Sequence, residues 1–401
     1  LGHVVHWDML VMTASSLVPM ILYCIYDVCW RFSSGKDSKN NPFPVIALTA
    51  YICYVIAEYL VLFLSRVREY YADRYAAETT RNPSLLSAAL VKIAYGLVTA
   101  EAVQRNQAKQ AKEAGQAAAG SAIGTGAISA LGIFDARSAK GLLAASNFST
   151  REQSEALLGA MQWDLWNPWA LYHELHSTHP LPAKRLDHLG RLAFSHGQKP
   201  FVLFDREQPE SYWDEFLVDV AVVFLPLVLP LAAMALGAAL GLRGEQIGGL
   251  FLMGLGLGVL LKTWYSYPGG YMPYSVSALL SHVKVSQVRA VPARLEGVGK
   301  GVPGLVWGED LVIRDRTGMV MLDYAQPLAI FEWIFGLGKA RKLQGKRVKA
   351  TGWYRRSPVP YVELSTLQEE GSPDVSTCYV AVAKQICGAM LAAAGLVLFF
   401  V

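Results

Sequence analysis

The sequence of 401 residues is 53% hydrophobic and only 17% charged, with a formal net charge of +4. Soluble globular domains carry about 25% charged residues, so this composition excludes an ordinary soluble enzyme and indicates a membrane protein. The modest positive charge gives no reason to expect a nucleic-acid partner. The five cysteines contain no C-x-x-C pair and predict neither a disulfide framework nor a zinc knuckle.

Five apolar runs are long enough to form membrane-spanning helices, which need about 20 residues to cross a hydrocarbon layer of roughly 30 Å. In chain order they are residues 9–30, 44–64, 216–241, 246–266 and 379–401. The sequence therefore predicts a multi-pass α-helical membrane protein that has the lipid bilayer as a partner.

The first two runs predict a hairpin, because the polar segment RFSSGKDSKNN joins them and Pro42 begins the return. A helical span cannot stop midway, since its backbone groups would stay unsatisfied in lipid. We therefore expect His3, before the first span, to lie on the same side of the membrane as residues 65–78, directly after the second. The helical pattern continues from 65 to about 112, with a break at Asn82.

The amino-acid composition changes twice in the middle of the chain. Residues 108–146 are rich in Ala, Gly, Gln and Ser, which predicts a mobile insert. Residues 150–200 return to a helical pattern.

A second membrane hairpin follows. In it, Gly254 and Gly258 have the G-x-x-x-G spacing that allows two helices to approach closely. Charged groups inside apolar runs usually pair within the bundle, so we expect an ion pair between Asp219 and Lys262 across this hairpin.

From about 282 to 366 the hydrophobic period switches to two, which predicts a small, possibly barrel-like β domain with a turn at Thr317. After four crossings it is expected on the same side as His3. Its stretch KRVKATGWYRRSP mixes basic and aromatic residues as a nucleic-acid platform would, but we interpret it as a solvated β edge or a membrane-surface contact. The predicted domains are 1–212 (first hairpin and catalytic domain), 213–281 (second hairpin), 282–370 (β domain) and 371–401 (last span).

A zinc hydrolase needs three protein ligands, an open position for water and a general base. The opening LGH could end an H-E-x-x-H helix, with His3 as its second ligand and the first His and the Glu preceding Leu1; otherwise His3 is an ordinary structural histidine. Glu69 and Asp73 are four residues apart and share one helix face, as a metal ligand and its supporting acid could. Alternatively, SRVREYYADR is an interfacial helix whose arginines contact headgroups and pair with the two acids.

These pieces, in this order, resemble the HtpX-type integral-membrane zinc metallopeptidases, relatives of the CAAX prenyl proteases. In that family an Asp follows the second His of H-E-x-x-H by five residues, as Asp8 follows His3. The helix after two spans reads S-R-x-x-E-x-x-A-D, matched by SRVREYYAD, and a later S-T-H-P segment followed by an Arg is matched by STHPLPAKR. The match covers roughly residues 1–195.

The resemblance implies a zincin-like helical catalytic domain that binds Zn²⁺. His3 and Glu69 would be metal ligands, and Asp73 would be the supporting acid. His179 would stand beside the catalytic water or the substrate carbonyl, and Arg185 would help to hold the Glu69 helix.

The implied activity is zinc-dependent hydrolysis of peptide bonds in misfolded or membrane proteins, a role in protein quality control, with a Glu just upstream of Leu1 as general base. The resemblance and the arginines after the second span favour an active site facing the cytoplasm, while the basic loop of the first hairpin opposes this. Two alternatives stay open: a prenyl-protein endopeptidase, and a non-catalytic scaffold that recruits partners through the β domain. A membrane protein or a second copy of the chain is a candidate partner.

Overall fold

The computed structural model describes residues 8–33, 41–90, 151–202, 204, 208, 210–301, 311–357 and 359–401. His3 and the predicted insert at 108–146 lie outside these residues. Contacts divide the chain into two compact units. The described part of the first unit comprises 8–33, 41–90, 171–202 and 204, and that of the second comprises 151–170 and most of 208–401.

The described part of the chain is mostly helical, with one small sheet. The helices are α1 Asp8–Ser33, α2 Phe43–Thr80, α3 Arg151–Trp166, α4 Pro168–Leu175, α5 Pro182–Ser195, α6 Trp213–Ala239, α7 Gly244–Ser266, α8 Val276–Leu280, α9 Ala329–Leu337, α10 Lys339–Lys342 and α11 Val380–Phe400. The strands are β1 Met272–Pro273, β2 Val291–Gly301, β3 Leu311–Arg314, β4 Met319–Asp323, β5 Arg347–Ser357, β6 Val359–Glu369 and β7 Val375–Thr377.

Five helices, α1, α2, α6, α7 and α11, are long and apolar enough to cross a membrane, which confirms the five predicted spans. Their outward side chains are apolar and uncovered: Val45 is 68% exposed and Leu60 61%. Such surfaces are stable against lipid rather than water, so the chain is an integral membrane protein.

Helix α2 is longer than a membrane crossing requires. Its 38 residues extend for about 57 Å, whereas the hydrocarbon layer takes about 20 residues. The predicted continuation of the second span as a helix is therefore confirmed as far as Thr80. Arg81 then adopts a left-handed backbone (φ 52°) that ends the helix, and residues 83–90 are helical again, as the break at Asn82 predicted.

In the second unit, glycines bring α7 against both of its neighbours. A Cβ atom on Gly258 would lie 2.7 Å from the backbone of Leu225 in α6, and one on Gly256 would lie 2.4 Å from the backbone nitrogen of Ala392 in α11. Side chains at these positions would force the helices apart. The prediction that Gly254 and Gly258 serve close helix packing is confirmed.

Asp219, buried in α6, does not pair with Lys262, so that prediction is wrong. Its carboxylate accepts hydrogen bonds from Trp169, Tyr265, Ser286 and Arg289 at 2.6–3.1 Å. Arg289 supplies the balancing charge from the loop after α8. Because this loop approaches α6 only in the folded chain, hairpin geometry alone could not reveal the pairing.

Strands β2 to β6 close into a small barrel, as the period of two predicted. Around the barrel the order is β2-β3-β4-β6-β5, and β5 pairs with β2 to complete the ring. All these pairs are antiparallel except β4 with β6. This is a five-stranded barrel of the general OB-fold kind, with helix α9 inserted before β5.

Two details of the predicted β domain are wrong. Residues 282–290 form turns rather than a strand, because the carbonyl groups of Val283 and Val285 accept hydrogen bonds from Asn167 and Trp163 instead of from a neighbouring strand. The stretch KRVKATGWYRRSP is not a solvated β edge, since β5 pairs with a strand on each side.

Candidate active site

Two carboxylates share the buried face of α2 beyond its membrane-spanning part. Glu69 and Asp73 are four residues apart, a spacing that places side chains one above the other on a helix. Asp73 is 3% exposed and Glu69 9% exposed. Carboxylates removed from water to this degree need charged or hydrogen-bonding partners.

Arg185 of α5 is a partner of both carboxylates. Its Nε and Nη2 donate to the two oxygens of Asp73 at 2.8 and 2.7 Å, and its Nη1 lies 3.2 Å from Glu69 Oε2. A planar guanidinium can hold two acids in this way because its donors point along fixed directions. Burial lowers the pKa of Arg185, but the hydrogen bonds and the charge of Asp73 outweigh burial and raise it, so the group stays protonated.

The interfacial-helix alternative predicted that the two acids pair with the arginines of their own helix. Instead Arg185, from another helix, holds them. Arg74 pairs with Glu78 on the exposed face of α2 at 2.8 Å, and Arg66 points into the protein. The predicted pairing of the two acids with Arg66 and Arg74 is therefore wrong.

His179 brings an imidazole to Glu69 from the segment between α4 and α5. Its Nδ1 lies 3.5 Å from Glu69 Oε1, longer than an ordinary hydrogen bond. This nitrogen is buried and has no hydrogen-bond partner among the described residues. The structure thus brings Glu69, Asp73, His179 and Arg185 together, while His3, the fifth predicted residue, lies outside the described part.

Arg66 holds the segment that carries His179 through hydrogen bonds to its backbone. Its Nη1 donates to the carbonyl oxygens of Glu174 and Ser177 at 2.5 and 2.9 Å and lies 3.3 Å from that of Leu175. Glu174 and Leu175 are the last residues of α4, and Ser177 follows two residues later. Arg66 therefore places a positive charge at the C-terminal end of this helix, where a cation is favourable. No sequence pattern predicted this role, although Arg66 lies one turn before Glu69 on the same helix face.

Replacing Arg66 by Ala should destabilise the first unit by about 1.5–3 kcal/mol, the usual value for a hydrogen bond to a charged group when its partner stays buried. Thermal unfolding in detergent measures this. Arg74→Ala is the matched control, because Arg74 is 59% exposed in its pair with Glu78 and exposed pairs contribute about 1 kcal/mol or less. Equal unfolding temperatures for the two variants would contradict the assignment.

Further contacts fix α4 beside the site. Lys184 of α5 forms an ion pair with the Glu174 carboxylate, and the Tyr59 hydroxyl of α2 lies 2.8 Å from His176 Nε2. Burial, and to a lesser degree the nearby His176, lowers the pKa of His173 to about 4, so that imidazole is neutral at pH 7. Side chains of α2 and α5 thus both contact α4.

The donor atoms of this site fit a zinc ion. The Glu69 carboxylate offers an oxygen of the type that binds Zn²⁺ in proteins. Beside it, the buried Nδ1 of His179 has no hydrogen-bond partner among the described residues and is available to a group bound next to the metal. Within the described residues no group of three or more His, Cys, Asp or Glu side chains is arranged to hold a metal ion. Further ligands would have to come from outside them, where His3 lies.

The N-terminal half of the sequence matches a known family. Residues 1–193 match the profile described as Peptidase family M48. These residues belong to peptidase family M48. Their range includes all five predicted site residues, and the resemblance to HtpX-type peptidases that the motifs indicated is confirmed.

Relatives of this chain include three proteins described as "Protease HtpX homolog". The chain is 40% identical over 93 residues to the protein of Methanothermobacter thermautotrophicus, 32% over 98 residues to that of Aeropyrum pernix, and 31% over 93 residues to that of a Sulfurovum species. Each alignment covers 23% of this chain and 34%, 31% and 33% of the three relatives. The chain thus spans about a third of their length, and no solved structure matches it.

Proposed function

We propose that this protein is a membrane-embedded zinc endopeptidase that hydrolyses peptide bonds of misfolded or membrane proteins. One observation carries the proposal. A helix continuous with a membrane span presents Glu69 to the imidazole of His179, while Arg185 of a separate helix holds both Glu69 and Asp73. The M48 match over the same residues supports it.

In this proposal Glu69, His3 and a histidine preceding Leu1 would hold the metal. A bound zinc ion would supply a Lewis acid for the substrate carbonyl and would lower the pKa of water. A glutamate also preceding Leu1 accepts a proton from the attacking water and passes it to the leaving amine.

Three residues of the site orient groups rather than move protons. Arg185 and Asp73 together fix the carboxylate of Glu69, so that its oxygens are in place before substrate binds. His179 donates a hydrogen bond from its ring to the oxyanion that forms on the carbonyl. Loss of one such donor typically costs about 2.7–4 kcal/mol of transition-state stabilisation.

The site lies close to the membrane surface. Glu69 follows the predicted end of the second span by five residues, or about 7 Å along a helix. We propose that it faces the cytoplasm. The parts of a substrate polypeptide that emerge from the bilayer would reach such a site directly. Membrane proteins are therefore the proposed substrates.

Casein cleavage by the protein expressed from its complete gene tests the activity. We expect cleavage to stop on treatment with a chelator and to return with Zn²⁺ but not with Mg²⁺, because the donor set contains nitrogen. A farnesylated C-terminal peptide cleaved in preference to casein would instead support a prenyl-protein endopeptidase. A protein that binds zinc and cleaves neither substrate would support the scaffold alternative.

The codons before Leu1 give a simpler check of the same proposal. His-Glu immediately before Leu1 completes the H-E-x-x-H helix. Any other pair would remove the ligand, the general base or both, and would contradict the proposed hydrolysis.

A further inference from the structure

A cavity of about 600 Å³ lies in the second unit, where α6 and the neighbouring ends of α7 and α11 meet the barrel. One part of its lining is apolar and belongs to the spans, and includes Val223, Pro226 and Val259. The other part is polar and contains three cations and one carboxylate: Lys262, Arg355, Lys384 and Glu363. The cavity is therefore amphipathic, with an excess of positive charge.

The single carboxylate of the cavity is already neutralised. Arg355 Nε donates to Glu363 Oε2 at 2.7 Å, and the Tyr267 hydroxyl donates to Glu363 Oε1 at 2.6 Å. The remaining donors of Arg355 bond to backbone carbonyls, including that of Ser266 at 2.7 Å. Arg355 and Glu363 thus form a closed, neutral pair.

Lys262 and Lys384 therefore carry the net charge of the cavity. Lys384 Nζ lies 2.6 Å from the Tyr267 hydroxyl oxygen and 5.0 Å from the centre of its ring. Among the described residues, no carboxylate lies within ion-pair distance of either lysine. A lysine in a membrane span without an anionic partner is costly, and such residues usually mark a binding or transport site.

The position of the two lysines matches the level of lipid headgroups. Lys262 lies four residues before the end of α7, and Lys384 lies four residues after the start of α11, each about 6 Å from the helix end. Val259 lies about one turn deeper in α7. A phosphate between the two lysines would therefore place an acyl chain along the apolar part of the lining.

We propose that this cavity binds the phosphate of an anionic phospholipid, with Lys262 and Lys384 as its cationic contacts and Val223 and Val259 beside its acyl chain. Basic pockets between membrane helices are known to bind anionic headgroups. The apolar lining favours a lipid over free inorganic phosphate, because only a lipid fills both parts of the cavity.

Native mass spectrometry of the complete protein, titrated in detergent with phosphatidylglycerol or phosphatidylcholine, tests the proposal. The wild type should retain phosphatidylglycerol in preference to phosphatidylcholine. Lys262→Gln and Lys384→Gln should each weaken phosphatidylglycerol binding about fivefold, since one cation at the membrane surface contributes about that factor. Phosphatidylcholine binding should not change.

Lys300→Gln is the matched control, because Lys300 is an exposed residue on β2 outside this cavity. Lys262→Gln decides the test if Lys384→Gln fails to fold, since Lys384 also contacts Tyr267. Unchanged phosphatidylglycerol binding in Lys262→Gln would overturn the proposal. Displacement of the lipid by millimolar inorganic phosphate would overturn the lipid as the occupant.

Discussion

Replacing Glu69 by Ala is expected to remove bound zinc and peptidase activity from the complete protein. Changes to residues that only support a metal ligand typically reduce metal affinity or activity 10–100-fold, so loss of a ligand should exceed about 100-fold. Asp73→Asn leaves Glu69 in place, so it should reduce zinc affinity and activity only 10–100-fold. Zinc content after dialysis and the rate of casein cleavage measure both effects.

Glu78→Ala is the control for this experiment. It makes the same change on the same helix, at a residue that is 49% exposed and pairs with Arg74. We expect its zinc content and activity to equal those of the wild type. Bound zinc and activity that survive Glu69→Ala would reject Glu69 as a ligand.

Replacing Arg185 by Met should strongly destabilise the first unit. It would leave two buried carboxylates, Glu69 and Asp73, without their shared cation. Breaking a buried pair by removing one partner typically costs 3–5 kcal/mol. We expect a large fall in the unfolding temperature in detergent and a loss of casein cleavage, because the Glu69 carboxylate would no longer be held in place.

Arg191→Met provides the matched control within α5. Arg191 is 64% exposed and pairs with Asp187 at 2.5 Å, so its loss should cost about 1 kcal/mol or less. Arg185→Lys should recover part of the stability, since it keeps the charge but not the two-oxygen contact with Asp73. If the Arg185→Met protein were as stable and as active as the Arg191→Met protein, Arg185 would not be needed to hold the Glu69 and Asp73 carboxylates.

The sequence predicted the elements whose signal is local. The membrane helices follow from apolar runs of sufficient length, and the barrel follows from a hydrophobic period of two. The helical position of Glu69 and Asp73 follows from their spacing of four residues. Their association with His179 and Arg185, more than 100 positions along the chain, came from the order of family motifs rather than from any local pattern.

Other features depend on partners that no local pattern identifies. Arg66 bonds to carbonyl groups 108–111 positions away, and Asp219 bonds to groups from α4, α7 and the loop after α8. The burial of β5 arises because the barrel closes between β2 and β5. In each case, polar residues that could equally well face solvent are buried by contacts with residues far away in the sequence.

The proposed activity requires His3 and Glu69 to bind one metal ion, although a membrane hairpin separates them in the chain. A crystallographic anomalous-difference map of the complete protein, recorded at the zinc absorption edge, tests this most directly. We expect one peak within about 2.2 Å of both a carboxylate oxygen of Glu69 and a ring nitrogen of His3. A zinc peak bound elsewhere, with the Glu69 carboxylate too far from His3 to share an ion, would contradict the proposed active site.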